Sequence, residues 1–67
     1  MNIENTIDHW MNTRGVKNKH LSKACNVSEQ TFSKWRHNKT QPNLSHAAII
    51  AKELGIMVDD LIKKEDV

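Results

Sequence analysis

Cysteine, proline, glycine and aromatic residues are all scarce in this chain, and each scarcity closes off a class of structure. The single cysteine, Cys25, has no partner for an intramolecular disulfide, which suits a reducing compartment. One proline and two glycines among 67 residues exclude a collagen-like or low-complexity chain and argue against a turn-rich sandwich. No apolar run approaches the ~18 residues of a membrane span. The polar, acidic start Met1–Thr6 lacks the basic-then-apolar order of a secretory signal, so the expected location is the cytoplasm of a bacterial or phage-infected cell. A chain of this length buries roughly 60% of its unfolded surface, enough for one helix-packed core but not for an enclosed substrate pocket of about 300 Å³ or more. A single domain over residues 1–67 is expected, with no enzymatic chemistry, no cofactor, no small-molecule ligand and no membrane partner.

Charge is present in both signs but unevenly placed. Between Arg14 and Lys39 lie seven Lys or Arg against one acid, Glu29, a local balance of +6, whereas the remainder holds three bases and seven acids. This asymmetry points to a polyanionic partner for the middle of the chain, unless the bases only solvate two exposed helices.

The apolar pattern is helical throughout. Ile3, Ile7, Trp10 and Met11 form one stripe of a first helix over about 3–14, ended by Gly15. A second helix over about 17–25 carries Leu21, Ala24 and Cys25. Asn26 suits a left-handed turn position, Ser28 an N-cap, and Glu29 the first turn of a third helix over about 28–37, which stops at Asn38. Gln41-Pro42 forces an extended link. Asn43 caps a fourth, central helix with Leu44, Ala47, Ala48, Ile50, Ala51 and Leu54, ended by Gly55. Val58, Leu61 and Ile62 mark a short fifth helix, and the charged tail 63–67 is expected to fray.

Only Asn26-Val27-Ser28 separates the second and third helices, which is a helix-turn-helix layout over about residues 17–38. On the third helix, Phe32 and Trp35 fall on one side with Thr31 at its edge. Gln30, Ser33, Lys34 and His37 centre on the other. An amide, a hydroxyl, an ammonium and an imidazole on one face can hydrogen-bond base edges and phosphates, and offer almost nothing apolar to a protein partner.

At this level of detail the chain resembles the phage Cro/repressor-like helix-turn-helix regulators, the XRE family. Leu21-Ser22 is similar to the family's Leu-Ala, Asn26-Val27-Ser28 to its Gly-Val-Ser turn, and Phe32-Ser33-Lys34-Trp35 to the core-facing part of its recognition helix. Lys39 to Pro42 resembles the basic loop ending in Pro. Ile50-Ala51 with Leu54-Gly55 resembles Ile-Ala-x-x-Leu-Gly, and Asp59-Asp60-Leu61 the acidic-acidic-Leu of the last helix. The departures are Asn18 for the usual Gln, Ser22 for Ala, Arg36 for Glu and Asn38 for Gly. The resemblance implies an all-α, five-helix lambda-repressor-like fold and a transcriptional regulator whose partner is a double-stranded DNA operator.

The resemblance also assigns roles. Residues matching Glu29, Gln30 and Lys34 reach base edges in the major groove. The chemistry agrees for Gln30, which can pair with adenine, and Lys34, which can donate to guanine. Glu29 can accept from cytosine or serve only the helix dipole, and Thr31 can touch a thymine methyl or simply pack. Asn18, Lys19, Arg36, His37, Lys39 and Thr40 are the expected phosphate contacts, with Lys17 and Arg36 alternatively solvated. Because one helix-turn-helix spans few base pairs, a homodimer on half-sites about 34 Å apart is expected, with Ile56, Met57, Val58 and Ile62 as its candidate interface. Trp10, Phe32 and Trp35 read as core rings, and Cys25 as a small core residue under the first helix. His20 and Cys25 do not share a face, and no metal-ligand spacing exists. A Cro-like repressor is the leading reading. An antitoxin or restriction-system controller is the alternative within DNA binding, and a helical protein-interaction module the alternative outside it.

Overall fold

The computed structural model describes residues 4–63. Within them the chain forms four α-helices, α1 (Ile7–Arg14), α2 (Asn18–Ala24), α3 (Glu29–Arg36) and α4 (Leu44–Leu54), followed by a 3-10 turn at Val58–Leu61. The all-helical expectation therefore holds. The fifth element is a single 3-10 turn rather than an α-helix. Met57 N–H donates to Asp60 Oδ2 across it at 3.1 Å, capping its start. The expected stripe position Ile3 and the tail beyond Lys63 lie outside the described residues.

Helix boundaries follow local chemistry. Ser28 Oγ accepts from Thr31 N–H at 3.0 Å and Asn43 Oδ1 from His46 N–H at 2.8 Å, so each caps its helix as expected. Gly15 and Gly55 end α1 and α4 with φ of 68° and 71°. The residues after them, Val16 and Ile56, donate back to Met11 and Ala51 carbonyls. Asn26 and Asn38 take the same left-handed conformation with φ of 57° and 62°, tolerated because a short amide side chain can bond locally.

α1 starts four residues later than its apolar spacing suggests. Asn5 is held in an antiparallel bridge with Ile62, in which Thr6 N–H donates to Leu61 O at 2.8 Å and Lys63 N–H to Glu4 O at 2.9 Å. Thr6 Oγ1 and Trp10 Nε1 both donate to Asp60 O, adding side-chain ties to the same seam.

α4 packs against α1, α2 and the 3-10 turn, while α2 and α3 pack on each other. Ile7, Met11, Leu21, Phe32, Trp35, Ile50, Ala51, Leu54 and Leu61 close the core, with Trp10, Val16, Val27, Ala47, Ile49, Ile56 and Val58 packed around it. Phe32 is fully buried and meets Trp35 edge-on at 5.8 Å. Ser22, at the α2–α3 crossing, is buried, and its hydroxyl donates to Lys19 O at 3.0 Å, so the polar substitution leaves no unsatisfied group there. Ala24, expected on the inner face, is exposed.

Cys25 is buried in the core, and its thiol donates weakly to His46 O of α4 at 3.9 Å. Burial, and secondarily the Glu53 carboxylate, push the thiol above its ordinary range. The unfolded chain then loses the Cys25 proton before the folded one does. Stability is expected to be independent of this group below the ordinary thiol pKa and to decline as pH rises through that value toward the higher folded one. A Cys25→Ser variant compared with the parent in denaturant melts at neutral and alkaline pH checks it; identical pH dependence in the two chains would contradict the assignment.

Candidate nucleic-acid interface

The turn Asn26–Ser28 turns the chain sharply enough for α3 to cross α2. Phe32 and Trp35 anchor α3 inward, so its remaining positions face out. Glu29, Gln30, Thr31, Lys34 and His37 are exposed and Ser33 half-buried. Gln30, Ser33, Lys34, His37 and Lys39 line one shallow, open depression of about 300 Å³. Among the described residues, none of these five side chains is taken up by an intramolecular hydrogen bond or ion pair, so their donors and acceptors face solvent. Thr31 is exposed, but its hydroxyl accepts from Ser28 Oγ at 3.0 Å, which ties it to the cap and leaves the methyl for contact.

The expected rim residues divide into two groups. Lys19, Lys39 and Thr40 are exposed. Lys39 and Thr40 follow Asn38 in a tight loop where both backbone N–H groups return to Lys34 O, at 2.9 and 3.3 Å. Arg36, another expected phosphate contact, is engaged within the protein. Its Nε donates to Asp8 Oδ1 at 2.6 Å and its Nη2 to Asn12 Oδ1 at 3.4 Å, so the guanidinium ties α3 to α1. Asn18 is likewise turned inward: Nδ2 donates to Glu29 O at 3.4 Å, while Oδ1 is buried without a partner. It braces the start of α3 instead of presenting its amide outward.

The candidate interface between copies also divides. Ile56 and Val58 pack against the core, whereas Met57 is 72% and Ile62 47% exposed. Leu44, which spacing assigned to the apolar side of α4, is 77% exposed. With Pro42, Ala47, Val58 and Ile62 it borders a largely apolar groove of about 300 Å³.

Two further features escaped the sequence reading. One is the exposure of Leu44. The other is Asn5, whose side chain and backbone meet Trp35, Asn38 and Gln41, from 30 to 36 residues away, which no local pattern could signal.

The model of the Cro/C1-type HTH DNA-binding domain matches residues 6–66. The chain belongs to this family. The match runs through all four helices, and the family is a class of DNA-binding regulators rather than enzymes. Among solved structures, the crystal structure of a "putative DNA-binding protein" from Bacteroides fragilis is similar, with a TM-score of 0.86 and 30% identity. The similarity covers 91% of this chain and 98% of that one, so the likeness extends over the whole domain. No curated protein matches the chain. Among the described residues, no helix of this Cro/C1-type domain is long and apolar enough to cross a membrane.

Proposed function

We propose that this chain is a sequence-specific transcriptional regulator, a Cro-like repressor that occupies a double-stranded operator as a homodimer in the cytoplasm. The observation that carries the reading is the outward face of α3, where Gln30 and Lys34 stand exposed and unpaired on a helix pinned by Phe32 and Trp35. Inserted in a major groove, Gln30 pairs with adenine and Lys34 with guanine. Glu29 and the Thr31 methyl flank them. Lys19, His37, Lys39 and Thr40 contact phosphates at the groove rims and set orientation without reading sequence. Occlusion of polymerase at the bound site supplies repression.

The exposed Leu44 and Ile62, which border one apolar groove, and the exposed Met57 favour a second copy as partner, since apolar surface gains by being covered. Two-fold pairing places two α3 helices about one DNA turn apart.

Selection of duplexes from a random pool tests the reading. A palindromic consensus, with log affinity falling linearly with log salt, is the expected result; absence of any preferred duplex overturns it. Lys39→Ala should weaken binding to all sequences alike and lower the salt slope by about one. A sequence-dependent loss at Lys39→Ala would move that residue from phosphate to base contact.

A further inference from the structure

Asn5 spends every hydrogen-bonding group it has on joining three parts of the chain. On one edge, the flanking residues Glu4 and Thr6 pair with the backbone of Lys63 and Leu61. On the opposite edge, Asn5 N–H donates to Asn38 Oδ1 at 2.7 Å and its carbonyl accepts from Asn38 Nδ2 at 3.3 Å. The Asn38 side-chain amide thereby plays the part of a neighbouring strand's peptide group. The Asn5 side chain completes the set: Nδ2 donates to Trp35 O at 2.7 Å and to Gln41 Oε1 at 2.6 Å, and Oδ1 accepts from Ile7 N–H at 3.0 Å.

These bonds bracket the loop Lys39–Thr40. Asn38 precedes it and Gln41 follows it, and Gln41 Nε2 donates to Asn38 Oδ1 at 3.0 Å, closing the loop across its mouth. Both ends of the loop are thus fixed to Asn5 and to each other, and both its backbone N–H groups are fixed to Lys34 O. A basic residue held on so short and doubly anchored a loop loses little further backbone freedom when it meets an anion.

We propose that Asn5, Asn38 and Gln41 form an amide clamp that positions Lys39 and Thr40 for the DNA backbone, making all three positioning residues for binding. The proposal rests on the DNA-binding reading above and deepens it. The clamp touches no base, so its effect falls on affinity for every duplex and leaves base preference at α3 unchanged. It also explains an asparagine at position 38: glycine would take the left-handed backbone as easily, but has no amide to offer Asn5.

That equivalence provides the test. Asn38→Gly removes the amide while keeping an unstrained φ, so the chain should still unfold cooperatively, as followed by circular dichroism. On the selected duplex and on random DNA alike, its affinity should fall severalfold, and the salt slope should shrink by up to one charge. In a double-mutant cycle with Lys39→Ala, the two losses should be strongly non-additive, because Lys39 can no longer lose what the clamp has already released. Gln41→Ala, at an exposed position, should reproduce a weaker form of the same cycle. A wild-type slope and affinity in Asn38→Gly, or strict additivity with Lys39→Ala, overturns the clamp while the DNA reading stands. Failure of the unmutated chain to bind any duplex with a salt-dependent affinity overturns both.

Discussion

Lys34→Ala should weaken binding to the selected duplex by about 1–3 kcal/mol, roughly 5- to 150-fold, and flatten preference at one base position. The ammonium stands exposed on α3, with no intramolecular partner to release, so its removal changes the surface offered to DNA and not the packing beneath it. Stability should accordingly stay within about 0.5 kcal/mol of the parent. Gln30→Ala should behave in the same way at a neighbouring base pair, through loss of a bidentate amide. Titration against the selected duplex and against a scrambled one separates base reading from charge. A loss of equal size on both would place Lys34 among the phosphate contacts.

Phe32→Ala attacks the same helix from its inner side and should be the most damaging single change to the fold. The ring is fully buried and meets Trp35 edge-on, and truncating a buried Phe costs about 3–5 kcal/mol. A domain of this size has about 3–10 kcal/mol in hand on the usual per-residue scale, so much of the population should be unfolded at room temperature. Duplex binding should fall in parallel, since α3 is oriented by this ring. Urea melts followed by far-ultraviolet circular dichroism give the measurement. A cooperative transition displaced by less than about 1 kcal/mol would mean that Trp35 and Leu21 hold α3 without it.

What could be read from the residues was what depends on near neighbours. Ser28 and Asn43 as caps, Gly15 and Gly55 as terminators, and Asn26 and Asn38 as left-handed positions each express a preference satisfied within four or five residues. Ser22 belongs with them, since its hydroxyl bonds one turn back. The inward side of α3 was equally visible because Phe32 and Trp35 lie three apart on an otherwise polar helix.

What escaped was set by distant partners. Arg36 looked like one more cation in a basic stretch until α1 brought Asp8 and Asn12 beside it. Asn18 looked like an outward amide until the α2–α3 crossing turned it toward Glu29 O. The late start of α1 and the 3-10 turn share one cause, the pairing of the segment around Asn5 with Leu61–Lys63, which competes with helix formation at both places. Leu44 sits on the apolar arc of α4, yet its place in the first helical turn carries it past the edge of the core.

The bridge that joins residues 4–6 to 61–63 leaves Glu4 and Lys63 side by side, one peptide group donating to the other. The segment that leads into α1 and the segment that leaves the 3-10 turn are therefore fastened to each other, so a pull on either is resisted by the pairing before it reaches a helix.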